Sequence, residues 1–234
     1  MWTKNLFGTE KPIIALLHLD ALPGEPGFAG SLDSVMEHAA ADLAALQEGG
    51  VDGLLIANEN CAPTTPNTGS VTLMAMAAVI GSIKKEIRIP WGTNVVFNPE
   101  ETIRMGAALG ADFGRSAFGG AFTGVYGIHS VNFGDMVRLK YQLGRPDFQL
   151  LCKCNPEGDV RLGNQTTEQL VKGYCRGGHA GALCVSGPGA GKEADLNYLA
   201  EVRALAKEYG VPVFCNTGCR PDTIEKILSA ADGV

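Results

Sequence analysis

His18 closes the apolar run KPIIALLHL, and Asn58 and Glu59 follow the run VDGLLIA. Asn94 lies inside IPWGTNVVF, Arg115 inside ADFGRSAF and Lys153 inside FQLLCKC. Ser186 and Gly187 follow GALCV, while Asn216, Thr217 and Gly218 follow VPVFC. Polar groups at the ends of apolar segments are costly to bury unless they are paired. Convergence in one pocket satisfies the whole set at once. The alternative is that each residue caps its segment or bonds a neighbouring loop, which suffices for any one of them but less comfortably for all.

The residue types suggest roles. His18 is the best general acid/base candidate, because an unperturbed imidazole titrates near neutrality; a satisfied core histidine is the competing reading. Glu59 offers a base or a metal ligand, or else a partner for Arg115 or Lys153. Lys153 becomes a Schiff-base nucleophile if desolvated, and otherwise an ion-pair partner. The loops SGPGAGKEAD and NTGCRPD both lead into helices. Backbone amides in glycine turns before a helix bind anions, so Ser186, Gly187, Asn216, Thr217 and Gly218 are expected to hold a phosphate. Plain turn chemistry also wants glycine there.

Other motifs are weaker. A P-loop would need glycine at Ser186 and a hydroxyl residue at Glu193, so SGPGAGKE fails twice. Cys152 and Cys154 share a strand face and Cys215 and Cys219 flank a turn, but no second pair sits at finger spacing. Buried thiols are therefore expected rather than zinc, and no metal or cofactor is implied. His38 and His129 read as helix-surface or loop residues, and His179 precedes its apolar run, at the opposite end from the others.

The elements that must position these residues repeat. Apolar runs alternate with helical patterns seven times, without a second composition or a linker. Ser31 caps a helix whose Leu32, Val35, Met36, Ala39, Leu43 and Leu46 fall on one face. Asn98-Pro99-Glu100-Glu101 is a strong helix start, and Thr166 opens another. Such alternation demands parallel strands with right-handed helical crossovers. A single α/β domain over residues 1–234, a (β/α)8 TIM barrel, is favoured over an open doubly wound sheet, since no GxGxxG follows the first strand. In that fold the polar strand ends gather on one face. The glycine-rich stretch FGGAFTGVYGIHSVNFGD, with Phe118, Phe122, Tyr126 and Phe133, reads as a lid or as a packed loop.

A chain of 234 residues that is 45% hydrophobic and 19% charged can bury a sizeable core. Its net charge of -6 argues against nucleic acid. Its apolar stretches are too short to span a bilayer, and its seven cysteines lie mostly in apolar runs. The expectation is a cytoplasmic protein, with a small phosphorylated substrate as partner and a homo-oligomer left open.

The strings KPIIALLHLDALPGEPG, DLAALQEGGVDGLLIANEN, GTNVVFNP, ALCVSG and PVFCNTGCRPDTIEKILSAADG together resemble the BtpA/SgcQ family, nearly end to end. The resemblance implies a ribulose-phosphate-binding type of TIM barrel. It carries His18, Asn58, Glu59, Asn94 and Arg115 over as pocket residues, and Ser186-Gly187 and Asn216-Thr217-Gly218 as the anion side. One branch of the family is associated with photosystem I biogenesis, and another with carbohydrate metabolism. Two functions follow as expectations: an isomerase or lyase acting on a phosphorylated sugar-like molecule, or a non-catalytic assembly factor. The final ADGV reads as the start of an eighth strand, so the last strand and helix are expected to be cut short in this sequence.

Overall fold

Short apolar runs bounded by polar residues become strands, and the segments with helical spacing become the helices between them. The structure, a computed structural model, describes residues 2–234. The chain begins with α1 (Trp2–Phe7), β1 (Ile14–His18), α2 (Leu32–Glu48), β2 (Gly53–Ala57) and α3 (Ser70–Ile83). It continues with β3 (Trp91–Asn94), α4 (Pro99–Leu109), β4 (Phe113–Ser116), β5 (Gly120–Gly124), β6 (Gly127–Val131) and α5 (Phe133–Gln142). Then follow β7 (Gln149–Lys153), β8 (Val160–Arg161), α6 (Thr167–Cys175), β9 (Ala180–Val185), α7 (Leu196–Lys207), β10 (Val213–Cys215) and α8 (Ile224–Ala230). The chain divides into two compact units, one of residues 14–116 and 139–148, the other of the remaining residues.

In the first unit β1, β2, β3 and β4 lie side by side and parallel. The register sets His18 beside Ala57 and Ala57 beside Asn94, so the polar strand ends are level. Leu54 to Ala57 are all buried, as an apolar run covered on both faces requires. Ser31 caps α2 by accepting from the Ser34 amide, and Asn98 caps α4 by accepting from the Glu101 amide. Val35, Ala39 and Leu43 are the buried face of α2. The buried Thr102 hydroxyl accepts from the Val95 amide at 2.9 Å, and its carbonyl accepts from Thr93 Oγ1 at 2.9 Å. These bonds pin α4 to the end of β3.

Phe148 fills the space over Gly106 and Gly114. A methyl group at Gly106 would sit 2.4 Å from the Phe148 ring and 2.9 Å from Thr93 Oγ1. Gly106→Ala is therefore expected to destabilise the protein by about 1–3 kcal/mol, even though alanine is the better helix former by about 1 kcal/mol. Urea unfolding checks this, and an unchanged midpoint would show that the Phe148 ring can retreat.

In the second unit β7, β9 and β10 form a parallel sheet, with Lys153 level with Cys184 and Cys215 level with Val185. Thr166 and Gln169 make a reciprocal capping box at the start of α6. The stretch read as a lid or as a packed loop forms part of a small sheet. β5 and β6 form an antiparallel hairpin, and β8 joins the other side of β5. Phe122 is buried and stacked on His129, which also lies 3.4 Å from Asp159. His129 is thus a sheet residue with a mostly buried side chain rather than a loop residue. Trp2 of α1, a helix the sequence reading did not include, donates to the Gly181 carbonyl at 2.7 Å.

The last residues run parallel to β10. Asp232 donates to the Val213 carbonyl, Cys215 to the Gly233 carbonyl, and Val234 to the Pro12 carbonyl. That is the pairing expected of a strand beginning at ADGV.

Candidate active site

The first unit carries one polar group at the C-terminal edge of its sheet. His18 ends β1, Asn58 and Glu59 follow β2, Asn94 ends β3 and Arg115 lies in β4. Arg115 is buried and donates through Nη2 to Asn94 Oδ1 at 2.9 Å. Asn58 is buried too, but its Oδ1 accepts from the Val96 amide at 2.8 Å, so this side chain holds the loop after β3. His18 Nε2 is buried and has no hydrogen-bond partner among the described residues. An unsatisfied buried polar atom of this kind needs a reason, and ligand binding is one.

Burial holds the His18 pKa below its ordinary value, the Glu59 carboxylate opposes that shift, and the Arg115 cation adds to it. His18 is therefore a neutral imidazole at pH 7, able to accept a proton. The unfolded chain takes up that proton first as pH falls, so the stability present above the unfolded value of 6.5 is lost as pH drops toward the folded one. His18→Gln should flatten the melting curve against pH between roughly pH 7 and 5. Parallel curves for the two proteins would show that His18 is not held neutral.

The second unit carries the other group, at the ends of β7, β9 and β10. Lys153 Nζ lies 2.7 Å from Glu157 Oε2, with both side chains mostly buried. The second carboxylate oxygen, Oε1, accepts from Asn216 Nδ2 at 3.0 Å, and the same Nδ2 lies 2.7 Å from Ser186 Oγ. Asn155 braces the arrangement by donating to the Ser186 carbonyl at 2.7 Å and accepting from the Ser186 amide at 3.0 Å. The network gathers a cation and a hydroxyl at strand ends with a carboxylate from the turn after β7.

Glu157 and Asn155 were not among the sequence candidates. The signal was present in KCNPEG, where a carboxylate stands four residues after the lysine that ends the strand. The structure brings Ser186 and Asn216 within hydrogen-bond distance, and Lys153 reaches them through Glu157.

The two glycine loops lie against each other. Thr217 Oγ1 donates to the Lys192 carbonyl at 3.0 Å and stands 3.4 Å from the Gly187 amide. A Cβ on Gly187 would come within 2.1 Å of the Lys192 carbonyl oxygen, and one on Gly218 within 2.5 Å. Gly218 also has φ of 77°. Close packing thus explains both glycines locally, and Arg220 clamps the loops by pairing with Glu193 at 2.7 Å. The start of α7 cannot lend its amides to an anion. Asp195 already caps it, accepting from the Asn197 amide at 2.8 Å and the Tyr198 amide at 3.4 Å. The Ser186 amide already donates to Asn155, the Gly187 amide to Thr217 and the Asn216 amide to the Val185 carbonyl, so a phosphate here would rest on the amides of Thr217 and Gly218.

The cysteines are free thiols. Burial pushes the Cys154 thiol well up and Cys175 to about 11. Cys215 and Cys219 share a hydrogen bond that lowers the first thiol and raises the second. Among the described residues no three His, Cys, Asp or Glu side chains gather as a metal site, and no helix is long and apolar enough to cross a membrane.

Residues 9–234 match the model of the BtpA family. The sgc region protein SgcQ of Escherichia coli K12 is 38% identical over 99% of this chain and 87% of its own length. The photosystem I biogenesis protein BtpA of Synechocystis is 28% identical over 97% of this chain and 79% of its own length. Among solved structures, N-acetylmannosamine-6-phosphate 2-epimerase from Clostridium perfringens aligns with a TM-score of 0.57 at 15% identity, covering 96% of this chain and 85% of the epimerase. N-acetylneuraminate lyase from Fusobacterium nucleatum aligns with a TM-score of 0.58 at 14% identity, covering 96% and 69%. These likenesses establish the α/β, TIM-barrel fold class.

Proposed function

The chain belongs to the BtpA family, and on that footing we propose that it is an enzyme acting on a small phosphorylated, sugar-like molecule by acid/base isomerisation or aldol-type lysis. The observation that carries the proposal is the Lys153–Glu157–Asn216–Ser186 network at the ends of β7, β9 and β10. TIM barrels do their chemistry at that end of the strands. Both reactions build negative charge on a carbonyl oxygen as a neighbouring C–H or C–C bond breaks. The Lys153 cation is suited to stabilise that charge, and the Glu157 carboxylate to take or return the proton. Asn216 fixes Glu157, and Ser186 fixes Asn216.

The phosphate belongs to the Thr217 and Gly218 amides in this reading. The structural likeness to an epimerase of a sugar phosphate supports the substrate class by analogy. The direct test incubates the protein with keto- and aldo-sugar phosphates in D2O and follows the C–H beside the carbonyl by NMR. Deuterium entry at that carbon, or cleavage next to it, is expected. If no sugar phosphate exchanged or cleaved, and Lys153→Met and His18→Ala chains fully replaced the wild type in cells, the protein would be a non-catalytic assembly factor.

A further inference from the structure

The antiparallel sheet of β5, β6 and β8 has one face turned inward and one turned to solvent. Phe122, His129 and Arg161 share a row on the inner face. Successive residues alternate, so Ile128, Thr123 and Val160 form a row on the outer face, and Ser130, Ala121 and Leu162 form the next. Ile128 is 72% exposed, Val160 68% and Leu162 43%, and at the hairpin tip Val125 is 89% and Tyr126 42% exposed. Scattered apolar residues on a surface need no explanation, but five large ones on one small sheet mark an interaction surface.

The charge pattern says what kind of partner fits. Residues 119–132 contain no Asp, Glu, Lys or Arg, in a chain whose net charge is -6. A partner recognised by charge finds no mark there, whereas two copies that meet at this neutral patch bring no like charges together. The edge strand β6 also lacks the lysines and prolines with which a free edge is usually blunted.

Shape agrees. The base row borders a cavity of about 230 Å³ lined by Leu162, Leu170, Gly173 and Tyr174 and by the polar Arg161 and Gln165, which suits a tip that carries the Tyr126 hydroxyl beside Val125. The tip and the base row stand two residues either side of the middle row, roughly 7 Å each way along the strands. A two-fold axis lying between two facing sheets and along the middle row sets Ile128 and Val160 against their own counterparts. It carries each tip over the other copy's base row and cavity, which is the self-complementarity of an isologous interface. We propose that the outer face of β5, β6 and β8 is the interface of a homodimer, in which the Val125–Tyr126 tip of each copy fills the cavity beside α6 of the other.

Sedimentation velocity on the full chain from roughly 1 to 100 μM tests this, because interfaces of standard size are populated in that range. Wild type is expected to run as two copies, and Ile128→Glu as one. Gly173→Leu provides the second variant, since a Cβ at Gly173 meets nothing within 4 Å and leucine is the better helix former. It fills the cavity and should also give single copies, with a melting point equal to or above that of wild type. A wild type that stays single across the range, or a dimer that survives either substitution, would overturn the proposal.

Discussion

Lys153→Met is expected to slow deuterium exchange into a sugar-phosphate substrate by about 10²–10⁴-fold, the range that a positioned acid/base or charge-stabilising group supplies. The reason lies in the pairing at 2.7 Å: the lysine both holds Glu157 in place and presents a cation to any oxygen brought beside it. Glu157→Gln should slow exchange by a similar factor, because it keeps the shape and removes the proton acceptor. The double variant should be little slower than either single one, since residues that act as a unit are not additive. Melting curves separate lost chemistry from lost fold. A Lys153→Met protein that folds and exchanges at the wild-type rate would remove this network from the chemistry.

The second large effect concerns the glycine loops. At Gly218 a new methyl would meet the Lys192 carbonyl oxygen at 2.5 Å and the Glu193 Cα at 2.7 Å, both backbone atoms that cannot swing aside. The left-handed backbone adds strain for any other residue. Gly218→Ala is expected to cost about 3 kcal/mol and lower the melting point by roughly 6–10 °C, while phosphate-dependent stabilisation disappears. If the melting point fell and the phosphate response persisted, the glycine would serve packing alone and the anion would sit elsewhere.

Much of this was legible from residue order. The apolar runs that carry His18, Asn94 and Lys153 announced strands, and the caps at Ser31, Asn98 and Thr166 stand where side-chain chemistry put them. The hairpin was not legible. Its turn at Val125-Tyr126 lacks the Asn-Gly or Asp-Gly signature, and its glycines hide the two-residue alternation. β8, only two residues long, is a strand solely because β5 lies beside it. Glu157 escaped notice because it lies in a loop after its strand, where no periodicity points to it. The glycine loops were read as anion turns or as plain turns, and the packing of Gly218 against Lys192 of the other loop was not visible in either string. Local propensity reaches the elements, and only long-range packing reveals these partners.

The central claim is that a small phosphorylated sugar-like molecule is the substrate, and thermal unfolding with paired compounds tests it most directly. Each sugar phosphate is run beside the same sugar without phosphate. A bound ligand at about 100 times its dissociation constant stabilises the fold by about 2.7 kcal/mol, a rise of roughly 5–10 °C for a chain of this size. At least one phosphorylated sugar is expected to give that rise while its unphosphorylated partner gives none. A flat response across the sugar phosphates, or equal responses within every pair, would contradict the assignment.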